Sequence, residues 1–501
     1  MEEQTFASRL NDILGEISSV VWGPYLLIPL LFGTGLILTI RLRGVQFRKL
    51  GTALRHGLLD RDDEGGKGDI SQYEALTTAL AATVGVGNIV GVATAISIGG
   101  PGALFWMWVT GLVGMASKYG EAFLGVRFRT TDAKGGISGG PQRYLAAGIQ
   151  NGFGKFLAWF FAIAAVIAAF GIGNLTQANA VSAGLEDTFG VDPRLTAVIL
   201  FIGIGAVLVG GIKSIGKVTA AFVPMMIVIY LVGGIIVLIT HAGDIPAAFG
   251  MIFRDAFSGT AATGGFLGAA FIIALQMGFA RGIFSNESGM GSAAVAASAA
   301  KTSHPVRQGL VSMTQTFIDT IVVVTMTGLV IVTTDVWKLG PDQAGVMTAR
   351  AFSAGLGSDW GGMIVSVSVV FFAFSTILGW SYYGERNAER IFGTWATTPY
   401  RMAFTCVVVV GATTELDLAW TFADLANGLM ALPNLVGLII LSGLIARETK
   451  AYLDFDPKLK ASPDQIDQFL IDSNNPWRTD PNKMEAYLTP KTKTTNSEAK
   501  N

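Results

Sequence analysis

Apolar runs of about twenty residues recur along the whole chain, separated by short polar stretches, and this alternation dominates its pattern. A hydrocarbon core about 30 Å thick is crossed by roughly 20 residues of helix. By that measure eleven spans are predicted, near 22–42, 72–98, 102–126, 155–184, 194–212, 217–240, 265–299, 308–334, 360–392, 398–414 and 419–446. Several runs, 265–299 above all, are longer than a span needs and crowded with glycine and polar residues, which predicts broken or tilted helices. Residues 44–58, VQFRKLGTALRHGLL, alternate basic and apolar positions at helical spacing and predict an amphipathic helix on the inner leaflet. Residues 448–501 are polar and predict a largely disordered cytoplasmic tail. The expected fold class is an all-α polytopic membrane protein.

Composition agrees with lipid as the solvent. Hydrophobic residues make up 51% of the 501 and charged residues only 14%, against about a quarter in soluble proteins. The 35 basic and 36 acidic residues nearly cancel, so bulk charge points to no nucleic acid and the expected partners are the bilayer and a small solute. Cys406 is the single cysteine, and His56, His241 and His304 lie far apart. That leaves no disulfide framework and no His/Cys metal set. With no G-x-S-x-G elbow and no Walker loop either, an enzyme is not expected. The N-terminus, MEEQTF, is acidic and leads to no cleavage pattern, so the first apolar run is read as a permanent span.

Basic residues set the orientation. Arg41, Arg43, Arg48, Lys49, Arg55, Arg61 and Lys67 follow the first span, and Arg127, Arg129, Lys134 and Arg143 follow the third. Lys213 and Lys217, Lys301 and Arg307, then Arg386, Arg390 and Arg401 continue the alternation, while the opposite loops are poorer in basic residues. The expected arrangement is a multi-pass protein of the plasma membrane with its N-terminus outside and its C-terminus cytoplasmic.

The chemistry concentrates in two stretches. TVGVGNIVG at 83–91 approaches the glycine pattern of a dinucleotide turn, but it lies in one long apolar run with no acidic residue near position 110. Gly87 and Gly91 suit a helix-packing seam, yet Thr77, Thr78, Thr83 and Asn88 cluster around them, and polar groups at mid-membrane need a partner or a cavity. LQMGFARGIFSNESGMG at 275–291 repeats the theme with Gln276, Arg281, Ser285, Asn286, Glu287 and Ser288. Two interrupted helices in corresponding positions of two halves are the sequence pointer to a transporter's central site. Gly87 and Gly278 are about 190 residues and five spans apart, so the second half would be inserted inverted. Free N–H groups at a half-helix N-terminus suit a carboxylate, and unwound carbonyls suit a cation.

VGVGN at 84–88 resembles the break in the first helix of sodium-coupled leucine-transporter-fold proteins. GNIVGVATAISIGGPGALFWMW (87–108), GGISGGPQRYL (135–145) and ARGIFSNESGMGSA (280–293) are similar to signatures of the alanine/glycine:cation symporter family. The resemblance covers residues 20 to 450. It implies a five-plus-five inverted repeat preceded by one extra N-terminal helix. The division would be 1–64 for that helix and the amphipathic segment, 65–258 and 259–447 for the repeats, and 448–501 for the tail. It also implies symport of small neutral amino acids, chiefly alanine and glycine, with sodium or, as the alternative, a proton. The other readings are a proton-coupled carrier of another small zwitterion and a non-transporting amino-acid sensor.

Carried onto this sequence, the pattern assigns the substrate carboxylate to the amides of Val86 and Gly87, with Thr83 and Asn88 nearby. Gln276, Gly278 and Phe279 would line the pocket from the second broken helix, Phe279 capping a small side chain. Asn174 and Gln177 share a face of the fourth span, and Gln177 is the favoured contact. Sodium would be held by the Ser375 and Thr376 hydroxyls with the carbonyls of Ala81, Val84 and Phe372. Asp319, alone in an apolar span, is read either as a second cation or proton site or as a structural partner for Arg281. Glu287 and Arg281 flank the second break and either shape a gate or pair with each other. Lys118, Glu121, Glu385 and Arg386 are inner-gate pairs or snorkelling anchors.

Overall fold

The computed structural model describes residues 6–472 except 24, 62, 64, 65, 133, 134, 259–266, 415 and 416. It is helical nearly throughout. In chain order the principal helices are α1 (Phe6–Val21), α2 (Leu27–Arg41), α3 (Gln72–Thr83), α4 (Val92–Gly99) and α5 (Gly102–Arg127). There follow α6 (Gly152–Phe189), α7 (Pro193–Leu208), α8 (Gly211–Thr240), α9 (Ile245–Ser258), α10 (Leu267–Asn286) and α11 (Ala293–Ser298). The last are α12 (Pro305–Thr333), α13 (Ala344–Leu356), α14 (Trp360–Phe392), α15 (Thr397–Thr413), α16 (Asp417–Phe455) and α17 (Pro463–Asp472).

Helices lie at all eleven expected ranges. Among the described residues five are long and apolar enough by themselves to cross a membrane: α6, α8, α12, α14 and residues 421–455 of α16. The bent pair α3 and Gly87–Gly99 makes a sixth, and α2 and α7 are shorter apolar helices. The chain is thus a multi-pass membrane protein. Side chains such as Ile199, Ile202, Val228, Val232, Ile236 and Ile239 on α7 and α8 are exposed, as a lipid-facing surface requires. Exposed Trp360 and Trp395 bracket α14 at its two ends, where amphipathic indoles sit at membrane interfaces.

Four helices fall where loops or no element had been expected: α1, α9, α13 and α17. Each pairs an apolar stripe with a polar face, too short to read as a span but sufficient to dock. On α9, for example, Ala248, Ile252 and Ala256 are buried. The amphipathic segment after α2 is helical, as two short pieces, Val45–Arg48 and Leu50–Arg55, ending in a π-turn at His56–Asp60. A two-residue hairpin follows α5, β1 (Thr130–Thr131) against β2 (Ile137–Ser138), with Thr130 opposite Ser138.

The expected tail needs correction. Residues 448–455 continue α16, and α17 folds back with Ile466 and Leu470 buried. The physical reason is a charge network that composition alone hides. Arg307, at the start of α12, binds Asp63 and Asp456 (2.9 Å), the Tyr452 hydroxyl (2.7 Å) and the Ala461 carbonyl (2.8 Å). The His304 ring stacks on Tyr452 at 3.9 Å. Burial, reinforced by Arg307 and Arg127, holds the His304 imidazole well below its usual range. Residues 473–501, and the repeat boundary placed at 259, lie outside the described residues.

Candidate functional site

The first break begins where α3 runs out. A capping box of Ser71 and Glu74 starts the helix, and its last regular turn closes with Val84 N–H donating to the Leu80 carbonyl at 2.7 Å. Val84 then takes ψ +88°, and the chain bends by 53° before Gly87–Gly99 resumes. Asn88 holds the turn: its Oδ1 accepts from the Gly85 N–H at 2.9 Å, and its own N–H donates to the Gly85 carbonyl at 3.1 Å. The Val86 N–H points to Gln177 Oε1 at 3.4 Å.

Three segments around this break are wound as π-helix: Gly87–Gly91, Gly171–Leu175 and Phe317–Val324. Such local widening is costly and concentrates at functional sites. Asn88 lies in the first, Gln177 lies just beyond the second and bonds back to its Ile172 carbonyl at 3.0 Å, and Asp319 lies in the third.

The oxygens named as sodium ligands are largely brought together. Thr376 Oγ1 lies 3.0 Å from the Ala81 carbonyl and 2.9 Å from that of Phe372. Ser375 Oγ lies 3.3 and 2.8 Å from the same two. Both hydroxyls therefore bond back to their own helix and also cross to α3. A Cβ on Gly85 would overlap Thr376 Oγ1 and approach Gln177 Oε1 at 3.4 Å. The peptide at Gly85 thus touches the hydroxyl cluster on one side and the glutamine on the other. The hydroxyls bond to the Ala81 and Phe372 carbonyls and not to that of Val84, which is adjacent by sequence.

Asp319 is fully buried and joins the two interrupted helices. It accepts from Asn88 Nδ2 at 2.7 Å, from Ser285 Oγ at 3.0 Å and from Thr320 Oγ1 at 2.8 Å. It does not partner Arg281, which pairs with Asp424 at 3.3 Å instead. Arg281 does not pair with Glu287 either.

The second break is displaced from its expected place. α10 stays helical to Asn286, and the irregular backbone is 287–292, with left-handed φ at Glu287 (54°), Gly289 (91°) and Gly291 (80°). At 1.5 Å per residue, Gln276, Gly278 and Phe279 lie about 9–14 Å before Ser285 along the axis. Gly278 packs against Ala103 and Trp106 of α5, where a Cβ would not fit. Phe279 sits against Phe32 and Trp106, with ring centroids 6.2 Å away in each case. These are seam residues between α10, α5 and α2, and Gln276 is half-buried beside them. The aromatic that meets the first break is Phe284, 2.9 Å from a Cβ placed on Gly87, with Ser285 at 3.3 Å. Thr83 also turns away: its hydroxyl bonds back to Ala79 and Leu80 and receives Gln315 Nε2 at 3.1 Å. Asn174 donates to the Phe404 carbonyl at 2.7 Å, a bond between helices.

Sequence reading singled out Ser285 but missed Phe284, Thr320 and Trp380, the last pressed on Gly173. For Phe284 the signal was the run IFSNESGMG, whose glycines mark where the helix ends; Thr320 and Trp380 carried none.

A cavity of about 410 Å³ approaches this centre from the end of the bundle where α6 terminates. Val86, Ile89 and Val90 form its floor, and Asn179, Asp187, Val365 and Val369 line its walls. Lys118 and Glu121 are fully buried against the second break, not snorkelling. Glu385 binds Arg401 through two contacts, and Arg386 binds Asp132 and Glu389 at 2.7 Å each.

The family model described as "Sodium:alanine symporter family" matches residues 7–466. The sodium/alanine symporter AgcS of Methanococcus maripaludis is 50% identical over 88% of this chain and 97% of its own length. An uncharacterized transporter of Haemophilus influenzae is 48% identical over 88% of this chain and 96% of its own. The uncharacterized transporter YflA of Bacillus subtilis is 39% identical, covering 89% and 94%.

Proposed function

We propose that this chain, which belongs to the sodium:alanine symporter family, carries small neutral amino acids, alanine and glycine first, into the cell with sodium. The observation that carries the reading is the Gly85 peptide, flanked by the Ser375–Thr376 hydroxyl cluster and by Gln177.

Sodium is a hard cation that selects oxygen ligands. In this reading it displaces the Thr376 and Ser375 hydroxyl protons from the Ala81 and Phe372 carbonyls, and the lone pairs of all four oxygens turn to the ion, with Val84 supplying a fifth. The substrate carboxylate takes the N–H groups of Gly85, Val86 and Gly87, displacing Asn88 Oδ1 from the first and Gln177 Oε1 from the second. A half-helix N-terminus and its dipole favour that charge. Gln177 then contacts the ammonium or carboxylate group, and Phe284 replaces Phe279 as the wall that limits the side chain. Asp319, bound to Asn88 and Ser285, serves as the second cationic position.

The same reading takes the eleven helices as one leading helix and two inverted five-helix repeats. The breaks at 84–86 and 287–292 are corresponding elements, and the cavity over Val86 is the outer access route. The N-terminus is outside and the C-terminus cytoplasmic, and substrate passes by alternating access. The test is uptake of radiolabelled alanine into proteoliposomes under an imposed sodium gradient. Accumulation that collapses when sodium is replaced by potassium supports the reading. Accumulation driven by a proton gradient alone, or none at all, refutes it.

A further inference from the structure

Beside the first break lies a second buried polar cluster, of which the symport reading uses only Asp319. Glu121 and Asp319 are fully buried, and Glu287 is 2% exposed. Set against these three carboxyls is Lys118, also fully buried, which faces all of them. One ammonium against three carboxylates leaves two negative charges in an interior where an uncompensated ion is strongly disfavoured.

The hydrogen bonds divide the three. Glu121 Oε1 accepts from the Gly291 N–H at 3.0 Å and from Asn434 Nδ2 at 2.8 Å. Both are donor-only groups, so this oxygen acts as an acceptor and carries no proton, and Oε2 lies 3.8 Å from the Lys118 ammonium. A proton on Oε2 would face that ammonium with no acceptor to receive it among the described residues. Asp319 accepts from Asn88, a donor-only group, and from the Ser285 and Thr320 hydroxyls, and it belongs to the cation position proposed above. Glu287 remains. Lys118 donates to its backbone carbonyl at 2.9 Å, not to its carboxylate. The carboxylate meets the Trp380 indole on one side and the Ser292 hydroxyl at 2.5 Å on the other. A hydroxyl can accept as readily as it donates. Glu287 Oε2 can therefore carry a proton and keep its hydrogen bond, by reversing that bond.

Glu287 also sits at a mechanical joint. It is a non-glycine residue at φ +54°, a sparsely populated conformation held by its surroundings. Its break is clamped from three sides, by Lys118 on the Glu287 carbonyl, by Glu121 on the Gly291 N–H, and by Asn434 on the Gly289 carbonyl at 2.8 Å.

We propose that Glu287 is a proton-binding site at the second break, protonated while the clamp is closed and ionised when the break opens to water. The proton comes from the aqueous phase on the Arg307 side and returns there, so net proton transport is not required. The titratable and charged groups facing it are Lys118 and Glu121 on α5, Asp319 on α12 and Tyr383 on α14. Acid on that side then favours the closed clamp and slows release.

The transport arm of the test rests on the symport reading; the spectroscopic arm does not. Infrared spectra of the full-length protein in liposomes are compared for wild type, Glu287→Gln, Asp319→Asn and Ser292→Ala. A protonated-carboxyl carbonyl band at neutral pH that is absent from Glu287→Gln, present in Asp319→Asn and shifted in Ser292→Ala supports the site. A band that persists in Glu287→Gln, or that is unmoved by Ser292→Ala, overturns it, and the second criterion holds even if Glu287→Gln does not fold. In the transport arm, alanine exchange at equal sodium is followed against internal pH. Wild type is expected to slow with internal acid, by up to about tenfold per pH unit, and Glu287→Gln to lose that slope. A wild-type slope in the variant also overturns the proposal.

Discussion

Replacing Thr376 with valine removes one oxygen from the proposed sodium position while keeping the branched shape of the side chain. The structure lets the cost be apportioned. Thr376 Oγ1 donates toward the Ala81 and Phe372 carbonyls, but Ser375 Oγ reaches the same two at 3.3 and 2.8 Å. Neither carbonyl is left without a donor, so the folding penalty stays small. A polar contact to a charged partner is worth about 1.5–3 kcal/mol, and a tenfold change corresponds to about 1.4 kcal/mol. The half-saturating sodium concentration should therefore rise roughly ten- to a hundredfold. Alanine affinity at saturating sodium should change far less. The assay is initial alanine uptake in proteoliposomes across a sodium series, with Thr376→Ser, which keeps the hydroxyl, as the control. A valine variant whose sodium dependence lies within about twofold of wild type would refute the ion assignment.

Gly85→Ala should abolish alanine binding, because its Cβ collides with Thr376 Oγ1; equilibrium binding of labelled alanine to purified protein checks this, and wild-type affinity would show that the peptide has no such role. If sodium and carboxylate share that peptide, linkage is reciprocal, so the factor by which saturating sodium tightens alanine must equal the factor by which saturating alanine tightens sodium in paired titrations. Arg307→Ala strands Asp63 and Asp456, and breaking a buried pair costs about 3–5 kcal/mol; a clearly lowered melting temperature in detergent is expected, largely restored by also changing both acids to Asn. Burial holds both His56 and His304 below their usual range. A depressed folded pKa means stability that is present above the unfolded value and lost as pH falls below about 6.5. Thermal stability should drop between neutral and mildly acid pH, less so in His304→Asn, which retains a cap at the start of α12.

The spans and the first break were legible because each is encoded locally. Apolar length marks the helices, and glycines interrupted by threonine and asparagine mark irregular backbone at membrane depth. The second break was misplaced for an equally local reason. Gly278 and Gly282 look like break glycines, but small residues also let helices approach closely, and both press on α5. Only φ separates the two uses, and positive φ begins at Glu287. The docked segment 448–472 was hidden because its order depends on Arg307, about 150 residues earlier in the chain, and a polar composition does not reveal a long-range partner.

Asp319 shows how the misplaced break and the site fit together. An acid alone in an apolar span offered two readings, and its neighbours reject the pairing with Arg281. Its bonds to Asn88 and Ser285 tie the first interrupted helix to the second through one carboxylate. Asn88 in turn fixes the Gly85 N–H, and Gly85 abuts Thr376. A change at the hydroxyl cluster therefore reaches the second helix through four contiguous groups in direct contact. In the symport reading this is the physical route of coupling: an ion that reorders Thr376 repositions Gly85, frees or holds Asn88, and alters the load on Asp319 at the joint with α10.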